Sequence, residues 1–224
     1  MSGMVTLITG SSRGIGRQLA LDCALAGNPV VVNYVNSKAT ADQIVQTISD
    51  SGGLALAVRA DVSDALQAEA LVATAVQKFG KLDCVINNAG VGNRIELSKL
   101  DGPAFEATLR TNLTSAFLVS QAAVPHLKAR GGRLIFMSSG AARTGGVISA
   151  AYAASKAGLE GLMHYYATYL RPHRITANAI APSLIATEMI GEMESHAMDQ
   201  LPLGRLGRPD EIWPAVRMIM EQSI

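Results

Sequence analysis

The chain has 224 residues, 49% hydrophobic and 17% charged, which is enough apolar side chain for the core of one sizeable domain and excludes a disordered chain. Nineteen Lys and Arg against eighteen Asp and Glu leave a formal net charge of +1, with no basic stripe or acidic tail, so neither nucleic acid nor a membrane surface is implied as a partner. The two cysteines, Cys23 and Cys84, stand in apolar surroundings without CxxC or His-Cys spacing and read as buried spectator thiols in a reducing compartment.

Short β-branched or apolar runs alternate with longer segments of helical periodicity, the pattern of βαβ units around a buried parallel sheet. The first strand spans MVTLIT, Met4 to Thr9, and TGSSRGIG (Thr9 to Gly16) leads from it into a helix from Gly14 to Ala26. Gly10 permits the tight turn, Gly14 lets the backbone approach a pyrophosphate, and Gly16 lets helix and strand pack closely. The helix N-terminus adds unpaired N–H groups and partial positive charge for the phosphates. A plain strand-to-helix turn also uses glycines, but the position after the first strand favours a dinucleotide site.

The second strand, VVVNY (Val30 to Tyr34), runs into NYVNSK, Asn33 to Lys38, with no Asp or Glu before Asp42. The carboxylate that usually reads the adenosine ribose of NAD is missing. Arg13 and Lys38 are the cations available to a 2′-phosphate, which favours NADP(H) over NAD(H); a solvated surface charge is the alternative at each position. A helix from Thr40 to Asp50 precedes the third strand, LALAVR (Leu54 to Arg59), and Ser63 is the expected N-cap of the helix from Asp64 to Phe79. Next come the strand CVIN (Cys84 to Asn87), a helix from Pro103 to Lys128 and the strand RLIFMS (Arg133 to Ser138). A helix from Tyr152 to Leu170, the strand ITANAIA (Ile175 to Ala181) and a helix after Pro209 complete the pattern. No linker, repeat or low-complexity segment interrupts it, so residues 1–224 are read as a single α/β domain with a doubly wound parallel sheet. No signal peptide precedes the first apolar run and no apolar stretch reaches the roughly 18 residues of a membrane span, which points to the cytoplasm.

AYAASKAG, Ala151 to Gly158, sets Tyr152 and Lys156 on one face of a helix. An ordinary packed Tyr and solvated Lys have the same spacing. A phenol with pKa about 10 is poorly tuned to hand over a proton near neutral pH. Unit charges about 4 Å apart, at an effective dielectric of about 20, interact by about 4 kcal/mol, or roughly three pKa units. Lys156 is therefore expected to acidify Tyr152. Ser139 ends a strand at the carboxyl edge of the sheet, as a turn residue or as a donor to a substrate oxygen, and Ser138 is expected to serve the backbone. Asn112 sits in mid-helix, where asparagine is a poor helix former. Neither serine lies in a GxSxG elbow. His126, His164, His173 and His196 lack metal-ligand spacing and read as surface or packing residues.

TGSSRGIG, NNAG (Asn87 to Gly90), Asn112, Ser139 and YAASK (Tyr152 to Lys156), in this order, closely resemble the short-chain dehydrogenase/reductase family. The resemblance runs from about Val5 to Glu221. It is strongest towards bacterial 3-oxoacyl-carrier-protein reductases, through VVVNY, ADVSD, ITANAIAP and PLGRLGRP. It implies a Rossmann-type fold, a nicotinamide cofactor, no metal, and the catalytic set Asn112, Ser139, Tyr152 and Lys156. Asn112 would mark a helix kink and hold a water on the proton relay; Lys156 would also bind the cofactor ribose. Implied cofactor contacts are Gly10, Ser12, Arg13, Gly14, Ile15 and Gly16 in the turn, Asn33 and Lys38 beyond it, and Asp61 and Val62 at the adenine. Asn88, Ala89 and Gly90 would line the cleft with Tyr152 and Lys156, and Pro182, Ile185 and Thr187 would cover the nicotinamide.

The chain departs from the family in having Pro182-Ser183 for Pro-Gly, which narrows the nicotinamide pocket or alters its lid. It ends at MEQSI, so a last family strand is expected to be absent, by trimming or by a different assembly. The substrate lid, about 183–204, is a few residues short between Ile190 and Gln200. What the resemblance implies is an NADP-dependent reductase of a small-molecule or acyl-thioester ketone, such as the 3-oxoacyl thioesters of fatty acid biosynthesis. Acyl carrier protein is then a possible partner, which Lys128, Arg130, Arg171 and Arg174 would meet. The alternatives are an NAD(P)-dependent dehydrogenase of a sugar, polyol or steroid, and a non-catalytic nucleotide sensor or structural subunit. Relatives build tetramers on helices equivalent to Pro103–Lys128 and Tyr152–Leu170, so a homo-oligomer, tetramer or dimer, is expected.

Overall fold

The computed structural model describes residues 3–191, 201 and 203–221. Its strands are β1 (Thr6–Ile8), β2 (Val30–Tyr34), β3 (Ala55–Arg59), β4 (Cys84–Asn87), β5 (Gly132–Met137) and β6 (Ile175–Ile180). They pair in parallel in the order β3-β2-β1-β4-β5-β6, with Thr6 of β1 opposite both Val30 and Cys84. The winding direction reverses between β1 and β4. At such a switch the connections leave in opposite directions and open a crevice at the carboxyl edge of the sheet.

Strand alternation sends neighbouring side chains to opposite faces. Leu7, Val31, Val85, Leu134 and Phe136 pack with α3 (Ala65–Phe79), α5 (Ser115–Lys128) and α7 (Ala150–Leu170). Ile8, Val32, Ile86, Ile135 and Met137 pack on the other face with α1 (Gly14–Leu25), α2 (Lys38–Asp50) and a last helix α8 (Trp213–Glu221). Cys23 and Cys84 are free thiols buried in this second core, and burial pushes the Cys84 thiol up to about 12. Both are buried, as expected. Among the described residues, no helix is long and apolar enough to cross a membrane.

Two local expectations are corrected. Asp64, not Ser63, caps α3, accepting the Gln67 N–H at 2.9 Å. A carboxylate caps as well as a hydroxyl and also meets the helix dipole, while the Ser63 hydroxyl turns back to Asp61 Oδ1 at 2.7 Å. The helix from Pro103 to Lys128 divides into α4 (Gly102–Leu109), a π turn over Arg110–Thr114 and α5. Elsewhere, the short helix α6 (Ala141–Thr144) follows β5.

The Tyr166 ring stacks on Phe136 in the core at 6.0 Å between centroids, yet its hydroxyl is buried with no hydrogen-bond partner among the described residues. Burial lifts that phenol to about 12. An unsatisfied buried hydroxyl costs about 1–3 kcal/mol, so Tyr166→Phe is expected to keep or raise stability, by about 1 kcal/mol in chemical denaturation. A loss of that size would show that the hydroxyl has a partner in solution.

Candidate active site

The carboxyl ends of β1, β4 and β5 gather most of the expected residues. At the first, Gly10 and Gly14 take φ values of +60° and +54°, which L side chains rarely adopt. A Cβ on Gly10 would stand 2.9 Å from Ala89 Cα, and one on Gly16 would stand 2.5 Å from Asn88 Nδ2. Gly16 therefore makes room for an amide that pins the turn: Asn88 Nδ2 donates to the carbonyls of Thr9 (2.9 Å) and Gly10 (3.1 Å). Thr9, to which sequence reasoning gave no role, accepts the N–H groups of Asn88 and Ala89 on its hydroxyl at 3.0 and 2.9 Å. The available signal was a hydroxyl closing an otherwise apolar strand.

Asn33 is 1% exposed and committed to the framework. Its Oδ1 accepts the Gly10 N–H at 3.0 Å and its Nδ2 donates to the Ala60 carbonyl at 3.0 Å. Its expected direct contact with a cofactor is thus corrected to support of the glycine turn. Lys38 lies at the start of α2, exposed and paired with Asp42 at 2.6 Å. Arg13 is the N-cap of α1, exposed, and its guanidinium makes no hydrogen bond or ion pair among the described residues. Asp61 accepts the Ser63 N–H and hydroxyl on Oδ1, with Val62 buried beside it. Ser12 is buried in the turn, and Ile15 packs against the second core.

Further along the crevice, a Cβ on Gly90 would meet Asn112 Oδ1 at 3.3 Å and Lys156 Nζ at 3.6 Å. Bare backbone thus runs from the glycine turn to the lysine, and this cradle, together with the open N-terminus of α1, fits a dinucleotide. Among the described residues no cluster of His, Cys, Asp and Glu could hold a metal. Asn112 lies in the π turn and is 1% exposed. Its Oδ1 accepts the Val91 N–H at 2.8 Å, and its Nδ2 donates to the Val91 carbonyl and Ser155 Oγ, both at 3.0 Å. That side chain clamps the β4 loop to α7. The extra residue of a π turn displaces the helix locally, giving the kink expected at this asparagine.

Ser149 caps α7 by accepting the Tyr152 N–H at 3.2 Å. One turn on, Lys156 Nζ lies 5.6 Å from the Tyr152 ring centroid and donates to the Met137 carbonyl at 2.7 Å. Both residues are buried. Burial pushes the Tyr152 phenol above its ordinary value of about 10, and a hydrogen bond with Ser139 pulls it back in part. Burial draws the Lys156 ammonium down to about 8. The expected acidification of Tyr152 by Lys156 is therefore corrected. Burial opposes both charges, so the resting phenol is held above its ordinary value and not below it, while the ammonium keeps its charge only below about pH 8. Ser139 is the group that favours the ionised phenol.

Pro182, Ile185 and Thr187 follow β6. The Pro182 carbonyl accepts the Gly140 N–H at 2.9 Å, beside Ser139. Ile185 is buried and forms a parallel bridge with Gly207, and Thr187 comes within 3.5 Å of a Cβ placed on Gly14. The segment thus faces the glycine turn across the crevice. Met189 seats its sulfur 2.8 Å from a Cβ on Gly92, next to Ile148, which packs on Tyr152. Of the expected lid, 192–200 and 202 lie outside the described residues, as does His196; His126, His164 and His173 are exposed.

The expected carrier-protein contacts are also corrected. Lys128 and Arg130 lead into β5 and Arg171 and Arg174 lead into β6, at the amino end of the sheet and opposite Ser139. The reason is topological: residues just before a strand and just after it lie at opposite edges. Arg143 follows Ser139 by four residues and pairs with Glu160, and the Arg94 guanidinium donates to the Ile190 carbonyl at 3.2 Å.

A family model described as short chain dehydrogenase matches residues 4–197. A 3-oxoacyl-[acyl-carrier-protein] reductase of Synechocystis sp. is 37% identical over 98% of this chain and 90% of its own length. An L-rhamnose 1-dehydrogenase (NAD(P)(+)) of Azotobacter vinelandii is 38% identical over 92% of this chain and 85% of its own. The crystal structure of a dehydrogenase/reductase from Sinorhizobium meliloti superposes with a TM-score of 0.92 at 32% identity, covering 99% of this chain and 90% of that one.

Proposed function

The chain belongs to the short-chain dehydrogenase family and is an NAD(P)-dependent oxidoreductase, and on that premise we propose that it reduces a ketone to a secondary alcohol with NADPH, 3-oxoacyl thioesters being the substrate class. The observation that carries the reading is the buried Tyr152 phenol, placed by α7 with the Lys156 Nζ 5.6 Å from its ring centroid and with Ser139 favouring its ionised form. Bound in the crevice, the nicotinamide supplies the hydride.

Tyr152 stays protonated across neutral pH and gives its proton to the carbonyl oxygen, while the Ser139 hydroxyl donates to the same oxygen as charge develops there. Below about pH 8 the Lys156 ammonium carries charge and stabilises the phenolate that proton transfer leaves. Its two N–H bonds not spent on Met137 suit a ribose hydroxyl. The α1 N-terminus, with Gly10, Ser12, Gly14 and Gly16, would hold the pyrophosphate, Asp61 and Val62 the adenine, and Asn88 to Gly90 the flank of the crevice.

NADP preference rests on Arg13, whose guanidinium has no hydrogen bond or ion pair among the described residues, more than on Lys38, which pairs with Asp42. Arg13→Glu is expected to raise KM for NADPH about 10- to 100-fold, the loss of a charge-assisted hydrogen bond of about 1.5–3 kcal/mol, and to leave KM for NADH nearly unchanged in initial-rate assays. The stacked, exposed pair Tyr165 and Tyr169 on α7, ring centroids 4.2 Å apart, supports a homo-oligomer built on that helix. A cytoplasmic location belongs to the same proposal.

A second reading, oxidation of a sugar at a secondary hydroxyl, is favoured by the 38% identity to the L-rhamnose dehydrogenase. NADPH consumption against acetoacetyl thioesters and simple ketones, run beside NADP+ reduction with L-rhamnose and other sugars, tests both. Turnover of sugars alone would overturn the thioester assignment.

A further inference from the structure

The structure assigns Glu160, outside the four catalytic side chains, as a positioning residue that holds Ser139 from both sides in sequence, through Ser138 before it and Arg143 after it. Its Oε1 accepts the Ser138 hydroxyl at 3.1 Å, and its Oε2 accepts Arg143 Nε and Nη2 at 3.4 and 3.3 Å. Ser138 is buried, and its single O–H is shared between Glu160 and the Lys156 carbonyl, which also lies 3.1 Å away. Glu160 thus ties the end of β5 to α7 one turn beyond Lys156. The Ser138 bond dominates, because it is buried, whereas Arg143 is 77% exposed and its ion pair is weak.

This inference rests on the reading in which Ser139 and Tyr152 serve proton transfer. The Tyr152 phenol faces the Ser139 hydroxyl, Lys156 lies over the ring, and the cation on Glu160 is Arg143. Without the clamp, Ser139 moves off the phenol and its favourable hydrogen bond to the ionised form weakens. The phenol then titrates at higher pH. Removing a nearby negative charge acts in the opposite direction, so the sign of the shift separates positioning from electrostatics.

Glu160→Ala is expected to lower kcat for ketone reduction about tenfold with KM for NADPH little changed, as a misplaced donor does. In spectra of tyrosine labelled with carbon-13 at Cζ, and assigned with Tyr152→Phe, residue 152 should titrate higher than in the native protein. Ser138→Ala is expected to reproduce both effects from the other end of the bond, and Glu160→Gln, which keeps an acceptor for Ser138, to retain most of kcat. Thermal unfolding of each variant identifies any that fails to fold. A native or lowered titration of Tyr152 in Glu160→Ala or Ser138→Ala overturns the assignment, as does equal damage by Glu160→Gln and Glu160→Ala. If the native protein reduces no ketone, the functional reading fails, and the tyrosine titration alone still decides the clamp.

Discussion

A Tyr152→Phe protein is expected to bind NADPH with native affinity and to turn over ketone about 10²- to 10⁴-fold more slowly, the range that general acid catalysis contributes. The ring that packs against Ala141 and Ile148 remains, and Lys156 keeps its bond to Met137. Only the proton donor and its hydrogen bond with Ser139 disappear. Cofactor fluorescence titration and steady-state rates check the two halves separately, and a fully active variant would remove Tyr152 from the mechanism. The pH profile adds a sign. The phenol donates in its protonated form, present below its pKa and lost above it, and burial holds that pKa above the ordinary value. Loss of reduction on the alkaline side near pH 8 would therefore report the discharge of Lys156, not the ionisation of Tyr152.

The sheet was legible because each strand is a short apolar run that fills both faces, as Leu7 and Ile8 do in opposite cores. The glycine turn and the Tyr-Lys pair were legible because their chemistry is local, set by φ at Gly10 and Gly14 and by one helical turn. What escaped is non-local. Thr9 meets Asn88 and Ala89 across about 80 residues, Asn33 reaches back to Gly10, and Met189 lies on Gly92. No spacing rule connects such pairs, since the fold alone brings them together. Charge deceived for the same reason: Arg174 is near Ile180 in sequence, but β6 separates them by its full length. The pKa order was missed because the Coulomb argument counted attraction and left out the burial that both groups suffer.

Lys156→Met is expected to abolish reduction while leaving the folded protein at least as stable at neutral pH. In the native state the ammonium holds its proton only below about pH 8, against 10.5 in the unfolded chain. Below pH 8 both states are protonated and the folded one bears the cost of a buried charge, about 3 kcal/mol from the difference in pKa. Between about 8 and 10.5 the unfolded state binds the extra proton, so native stability rises with pH across that window. A methionine of similar length removes the cost but leaves the Met137 carbonyl without its donor, which returns about 1–3 kcal/mol. The net change at pH 7 is then small or favourable. The pH dependence is the sharper reading: the advantage of Lys156→Met over the native protein should shrink steadily from pH 8 to 10.5. Denaturant melts at pH 7, 9 and 10 check it. Parallel curves for the two proteins would show that Lys156 is not discharged by burial, and that the fold bears no strain for keeping an ammonium under the tyrosine.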